Sequence, residues 1–449
     1  MSADYQQLVQ TVVQRATKRG ADQAEGYLEI GRQSSCRVRD GQIQDLTEAT
    51  SKGLGLRVIA GKRLGFAFTS DFDAGSLSSF VDRAIELAAA SAPNRFAALP
   101  SADDLGEPRQ LGELFDPKVA SLSPDWKIKA ALEMERAAKA VDPRIVSFES
   151  VGAGEQISEV IIASTEGLSR AYRGTHVYLY AVPVASDGSQ LQTGDWSDEK
   201  RFFDELEPAE LVGRQAAQRA LRMLGAKKVR SQRAPVVFEP AMAASFAAAV
   251  ASAANGDAVY KKSSFLADKL GKKIAPAAVR LVDDGLRPRG FGSAPFDGEG
   301  VSTRRTSILE GGFLRSFLYD CFTARKAKAR TTANASRSYS SLPAIGVHNL
   351  YWAPGDKSPE ALIAEVKSGL YVTSMLGVGV NIVSGEYSRG ANGLWIENGE
   401  LTRPVQEVTV AANLLGMLAG IDGVGSDLRF RGGLGAPTLR FEELTIAGE

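Results

Sequence analysis

Tight, glycine-bearing turns between runs of alternating polarity constrain this chain more than any other feature. Asp40-Gly41 separates SCRVRD from QIQDLTEAT, and Ala60-Gly61-Lys62 separates LGLRVIA from RLGFAFT. Glu166-Gly167, Asp187-Gly188, Gly311-Gly312 and Asn398-Gly399 sit between further strand-like runs. Two-residue hairpin turns need a left-handed backbone, which glycine, asparagine and aspartate tolerate best. Alternation at period two on either side marks half-buried strands. With the helical stretches between them, the predicted class is α+β. An N-terminal α/β region of antiparallel sheets and helices precedes a strand-rich, barrel-like C-terminal domain with added helices.

The first helix places Leu8, Val12, Val13 and Ala16 on one face and ends near Gly20. A second helix is predicted from Asp73 to Ala90. Pro93, Pro100, Pro108, Pro117 and Pro124 then mark a linker or an extended surface crossing. Ser123-Pro124-Asp125 starts a further helix. Strand-like segments follow from about Val146 to Arg201, and another helix from Pro208 to Leu224. GAKKVRSQRAP, Gly225 to Pro235, is polar and basic and marks the main boundary. The expected division is 1–91, a crossing at 92–124, a middle α+β part at 125–225, and a β-rich domain at 226–449.

Composition excludes several functions. Lysine plus arginine and aspartate plus glutamate both number 53, so net charge is zero and no chain-wide drive toward nucleic acid exists. No run of 18 apolar residues is present, so no membrane span is expected. The N-terminus lacks the apolar core and cleavage site of a signal peptide. Cys36 and Cys321 are too few and too far apart for a disulfide scaffold, which points to reduced thiols in the cytoplasm.

Only His176 and His348 are available among 449 residues. Both fall in strand-like patterns, where a hydrogen-bonded or half-exposed ring is expected. A histidine-based zinc site or nucleophile is therefore poorly supplied. GLGLRVIAGKR, Gly53 to Arg63, departs from a phosphate loop in spacing and in having Arg63 where Ser or Thr is needed; its glycines read as hairpin residues. GGLGAP, Gly432 to Pro437, has no helix after it and is no dinucleotide loop. Asp283, Asp284, Asp297 and Glu299 gather oxygen ligands, but the spacing matches no metal loop and suggests solvated turns. Ser338, Ser340 and Ser341 read as loop-shaping. Arg325, Lys326 and the pair Lys261-Lys262 form small basic patches suited at most to a phosphate or carboxylate.

Phe238 to Phe265, FEPAMAASFAAAVASAANGDAVYKKSSF, predicts a helix that starts at a proline and stops before Asn-Gly-Asp. It carries small residues and no group able to do chemistry. Ala and Ser at helical spacing suit close packing.

The chain resembles the TldD/PmbA family, the modulators of DNA gyrase regarded as metalloproteases. The resemblance spans nearly the whole sequence. It rests on RDGQIQDLTEATSKGLGLRVIAGKRLGFAFTSDF early in the chain. Later it rests on VDDGLRPRGFGSAPFDGEGVSTRRTSILEGGFLRSFLYD, NIVSGEYSRGANGLWIENGELTRPV and GAPTLRFEELTIAG. The family's catalytic branch carries an HExxxH helix with two zinc-binding His, a general-base Glu and a late Cys. A gapless placement on GDAVYKKSSF puts the six motif positions at Ala247, Ala248, Ala249, Val250, Ala251 and Ser252. Ala247 and Ser252 then replace the two His, and Ala248 replaces the Glu. No Cys occurs in GIDGVGSDLRFRGGLGAPTLRF.

The resemblance is to the PmbA (TldE) branch, whose members lack the motif and pair with a TldD subunit. It implies a non-catalytic subunit of a cytoplasmic metalloprotease heterodimer, with a homodimer open to the lone chain. This chain would bind no cofactor, and zinc would lie on the TldD-like partner. Extended peptides would be the substrates, in peptide-antibiotic maturation or antitoxin degradation. A strand edge around Val378 to Ser384, with Val378, Val380 and Ile382, is the candidate peptide contact. Two alternatives remain: a self-sufficient hydrolase using the Asp283, Asp284, Asp297 and Glu299 group, and a gyrase- or DNA-binding protein.

Overall fold

The computed structural model describes residues 2–449. Helix Ser2–Lys18 lays Val9, Val12, Val13 and Ala16 into the first core, with Leu8 partly buried against it. The next two strands are longer than their sequence suggests. GYLEIG and SCRVRD belong to one strand, Gln23–Arg39, and QIQDLTEAT and LGLRVIA to another, Gln42–Ala60. The polar residues between them do not break the strand, because Arg32 and Gln33 are paired on both sides, to Thr50 and Ala49 and to Ile157 and Gln156. The turn between them is the expected one, with Asp40 at φ 51° and Gly41 at φ 73°.

The expected parts 1–91 and 125–225 share one sheet. From one edge the order is Arg63–Thr69, Gln42–Ala60, Gln23–Arg39, Ile145–Ser164 and Ser169–Ser186, with the short strands Leu191–Thr193 and Trp196–Lys200 both pairing with the last. All neighbours are antiparallel. Helices Ser2–Lys18 and Ala74–Ala90 cover one end of the sheet, and Pro124–Lys139 and Ala209–Leu221 cover the other. Residues 91–124 are mostly irregular, with single turns at Ala102–Leu105 and Pro117–Ala120. They are also anchored: Ala97, Leu99, Leu105 and Val119 are buried, and Arg325 donates to the carbonyls of Ala98 and Leu99 at 2.7 and 2.6 Å.

The C-terminal region contains a closed barrel of five strands. Around the ring run Glu400–Asn413, Glu386–Glu397, Ser368–Leu376, Gln232–Phe238 and Leu439–Ala447, and the last pairs back to the first at Thr409–Ala411. Closure leaves these strands no free edge. A second sheet, built around Leu281–Asp284, Arg305–Glu310 and Leu350–Trp352, lies beside it. Helix Pro240–Ala253 is held between the two. Phe246 stacks on Trp352 at 5.6 Å and meets Phe441 edge-on at 5.5 Å. The Trp352 indole donates to the Ala243 carbonyl at 3.0 Å.

Candidate functional site

Helix Pro240–Ala253 forms where the sequence predicts it. Pro240 occupies the first turn after an extended Glu239, and alanine has the highest intrinsic helix propensity. One face, including Phe246, Ala247 and Val250, is fully buried in the core. The other carries Ala248, Ala251 and Ser252, which with Asn255 form one wall of a 560 Å³ cavity. Ile345–Val347, Leu350, Leu434 and Ile382 line it from other elements.

The three motif positions therefore part company. Ala248 and Ser252 face the cavity, while Ala247 lies in the core. The Ser252 hydroxyl donates to the Ala248 carbonyl at 2.8 Å, a local bond within the helix. Zinc needs imidazole, thiolate or carboxylate ligands. The one carboxylate in the lining, Asp257, is held by Lys326 at 2.8 Å and Lys261 at 2.6 Å, so the residues present do not fit the metal. Those two lysines, read from sequence as parts of basic patches, are spent on this internal contact.

The peptide-edge expectation needs correction. Residues 377–385 form a loop, not a strand. Gly377 and Gly385 have φ of 75° and 77°, outside the extended range. Asn381 Oδ1 accepts from the amides of Val383 and Ser384 at 2.9 and 3.2 Å, so local turns satisfy donors that an edge would offer. Val378 is 98% exposed, and Val380 makes one isolated bridge to Tyr387. Of the three, only Ile382 reaches the cavity.

The acidic group needs a second correction. Asp283, Asp297 and Glu299 are buried, not solvated, and each is occupied. Glu299 pairs with Arg57 at 3.0 Å and accepts from the Cys321 amide at 2.8 Å. Arg57 also binds Glu25 at 2.8 Å, and Glu25 binds Arg337 at 2.5 Å. The chain of charges Arg337–Glu25–Arg57–Glu299 thus ties the N-terminal sheet to the C-terminal domain. Asp297 accepts three backbone amides, from Glu299, Val301 and Ala335. Burial, with the nearby Glu299 charge, still pushes its pKa up to about 7. Asp284 is only partly buried and accepts from the Leu286 amide.

His348 lies in a bend before Leu350–Trp352, not in a strand. Asp283 accepts from its amide at 2.7 Å and lies 3.2 Å from its Nδ1. Burial acts to lower the imidazole pKa, but Asp283, with Asp297 and Asp284, outweighs it and the net shift is upward. His176 stays in its strand, stacked on Phe291 at 4.0 Å, and burial lowers its pKa to about 4. A cavity of 270 Å³ opens at this junction, with Glu29, Tyr172, Asp297, Asn334 and His348 among its walls. Sequence reasoning missed this junction because its ion pairs join residues up to 312 positions apart. Gly53 and Gly55 carry a readable trace of it. They lie inside a strand, and a Cβ on either would come within 2.3 Å of Tyr339. Only Gly61 of that stretch is a hairpin residue.

Among the described residues, no group of three or more His, Cys, Asp or Glu side chains is arranged to hold a metal. No described helix is long and apolar enough to cross a membrane.

Comparison with known proteins agrees with this architecture. Models of PmbA/TldA metallopeptidase domain 1, central domain and C-terminal domain match residues 24–88, 117–224 and 231–448. The chain is 31% identical over 415 residues to Metalloprotease PmbA of Escherichia coli O157:H7, covering 92% of this chain and 90% of that protein. It is 29% identical to a Metalloprotease PmbA homolog of Haemophilus influenzae, covering 99% and 96%. A crystal structure from Bacteroides thetaiotaomicron, described as a modulator of DNA gyrase, superposes with a TM-score of 0.91 at 29% identity, covering 99% and 98%. TldE from Thermococcus kodakarensis shares the fold, with a TM-score of 0.89 at 23% identity over 98% of this chain and all of that one. Matching domains along the chain, and near full-length relatives on both sequence and structure, place this protein in the PmbA/TldD metallopeptidase family.

Proposed function

We propose that this chain is the non-catalytic, PmbA/TldE-like subunit of a cytoplasmic peptidase complex, paired with a TldD-like relative that carries the zinc. The observation that carries this reading is the wall of the helix cavity. Ala248, Ala251, Ser252 and Asn255 give it shape but no general base and no metal ligand. The family membership supplies the class of reaction, peptide hydrolysis, and extended peptides are the substrates of choice. Ile382, within the 377–385 loop, lines the same cavity and is the best-placed of the candidate peptide contacts.

The test is a peptidase assay on this chain alone, on a TldD-like relative from the same cell alone, and on the two together. The lone chain is expected to cleave nothing, and the mixture to cleave unfolded peptides in a chelator-sensitive way. Chelator-sensitive cleavage by the lone chain would overturn the reading. The self-sufficient alternative rests on Asp283, Asp284, Asp297 and Glu299, and the contacts of the three buried ones speak against it: each is held by backbone amides or a cation.

A further inference from the structure

Residues 377–385 offer no strand edge, but another wall of the helix cavity does. Strands Ala335–Ser336 and Ala344–Ile345 pair antiparallel in a short ribbon. Gly346 continues the ladder: its amide donates to the Asn334 carbonyl at 2.7 Å, and its carbonyl accepts from the Asn334 side-chain amide at 3.0 Å. We propose that the outer edge of this ribbon, at Ile345 and Val347, pairs with an extended, uncharged peptide segment and seats one large apolar side chain of it in the helix cavity. The substrate class rests on the subunit reading above; the edge itself does not.

Successive residues of a strand turn their main-chain groups to opposite sides. Gly346 faces Asn334, so Ile345 and Val347 turn theirs away from the ribbon. Among the described residues, neither the amides nor the carbonyls of these two have a hydrogen-bond partner. The far edge of the ribbon is taken at Ala335, which donates to Asp297 at 3.0 Å and accepts from the Gly298 amide at 2.7 Å. Buried main-chain groups are nearly always paired, so open ones belong where solvent or a ligand reaches them. Val347 is accordingly 39% exposed. The cavity is lined by Ile345, Gly346 and Val347 but by no residue of the paired strand, so it lies on the open side of the edge.

Two features define the occupant. Donors and acceptors two residues apart match another extended backbone, whatever side chains it carries. Beside them the cavity is apolar, with Ala248, Ala251, Leu318, Leu350 and Leu434 in its walls. The two charged residues of the lining, Asp257 and Lys261, pair with each other at 2.6 Å, so the lining has no net charge and favours an uncharged segment. The 560 Å³ space is of ligand-pocket size and takes a leucine or phenylalanine side chain.

The test is fluorescence anisotropy of the whole chain with short dye-labelled peptides of Ala, Ser and Gly that carry one central Leu. The Leu peptide is expected to bind saturably, and a peptide with Ser in its place at least about tenfold more weakly, as loss of a buried apolar side chain requires. N-methylation of every second residue separates strand pairing from apolar contact alone, because a strand edge uses alternate amides. Of the two methylated series, one is expected to lose at least about tenfold and the other clearly less. Hydrogen exchange at the Ile345 and Val347 amides should slow when the peptide binds. Ala248→Phe, which fills the cavity, should weaken the Leu peptide about tenfold or more, while Leu191→Ser, exposed on the middle region, leaves it unchanged. Circular dichroism melts establish that each variant is folded. No saturable binding, equal affinity for the Leu and Ser peptides, equal affinity of the two methylated series, or wild-type affinity in folded Ala248→Phe would overturn the proposal. So would protection of the Ile345 and Val347 amides by a TldD-like relative that shuts the peptide out, which would make the edge a subunit contact. Binding is read without cleavage, so its failure leaves the peptidase test of the subunit reading untouched.

Discussion

The helix cavity, inside the C-terminal domain, and the junction that ties this domain to the N-terminal sheet follow opposite plans. Around Ala248 and Ser252 there is room, 560 Å³ of it, but the helix wall offers methyl groups, a hydroxyl and an amide, and the one carboxylate of the lining, Asp257, is paired with lysines. Around Arg57 the chemistry is dense, with the Glu25, Glu299 and Arg337 side chains all buried, but each carboxylate is paired with a guanidinium. The comparison teaches that reactive side chains alone do not mark an active site. Here they join two sheets, and the open space is left chemically plain. That division suits the non-catalytic role proposed above, with the charged groups spent on holding the sheets together and the cavity wall left plain.

The largest expected effect lies at the junction. Arg57→Leu leaves Glu299 without a cation in a buried place and Glu25 with Arg337 alone, which should cost about 3–5 kcal/mol, read as a shift in the denaturation midpoint. A loss under about 1 kcal/mol would put the network among surface ion pairs and erase the contrast. Next comes the helix itself. Ala247→His should destabilise by about 1–3 kcal/mol because that position is in the packed core. Ala248→His, on the cavity side, should stay within about 0.5 kcal/mol. Equal costs at the two positions would mean that the cavity wall is as tightly packed as the core.

The junction should also respond to pH. The Asp297 carboxyl, ordinarily at 3.8, is raised to about 7 in the folded protein. Between those values the folded state holds the extra proton, so stability falls as pH rises. His348 is raised above 6.5, so its contribution is present below that value and is lost as pH climbs through the folded pKa. These two slopes share a sign, while His176, lowered to about 4, contributes the opposite slope below about 6.5, so the melting temperature should fall as pH rises from about 6.5 to about 8. His348→Gln should flatten the upper part of that fall only. A melting temperature that rises across the window would contradict the assigned shifts. The smallest effect is expected at Val378→Ser, within about 0.5 kcal/mol, because the side chain is almost wholly in solvent.

The turns were legible in sequence because their chemistry is local. Asp40-Gly41 and Asn398-Gly399 both adopt the left-handed pair of angles that their residue types favour. The blank helix was legible for the same reason: its start at Pro240, its alanines and its end before Asn255 are local signals. Strand length was not, since whether Arg32-Gln33 interrupts a strand depends on partners at positions 49–50 and 156–157. The 377–385 loop was misread because its valines alternate like a strand, while Gly377, Gly385 and the Asn381 side chain decide otherwise. Buried acids such as Asp297 looked like turn residues because Asp-Gly favours turns, and only the fold reveals what covers them.

Zinc stoichiometry, measured by mass spectrometry on the purified chain and on its complex with a TldD-like relative, tests the central claim most directly. The account predicts no zinc on the lone chain and a single ion per pair, resident on the relative. A full equivalent of zinc on this chain, removed by substitutions at Asp257 or Ser252, would contradict it.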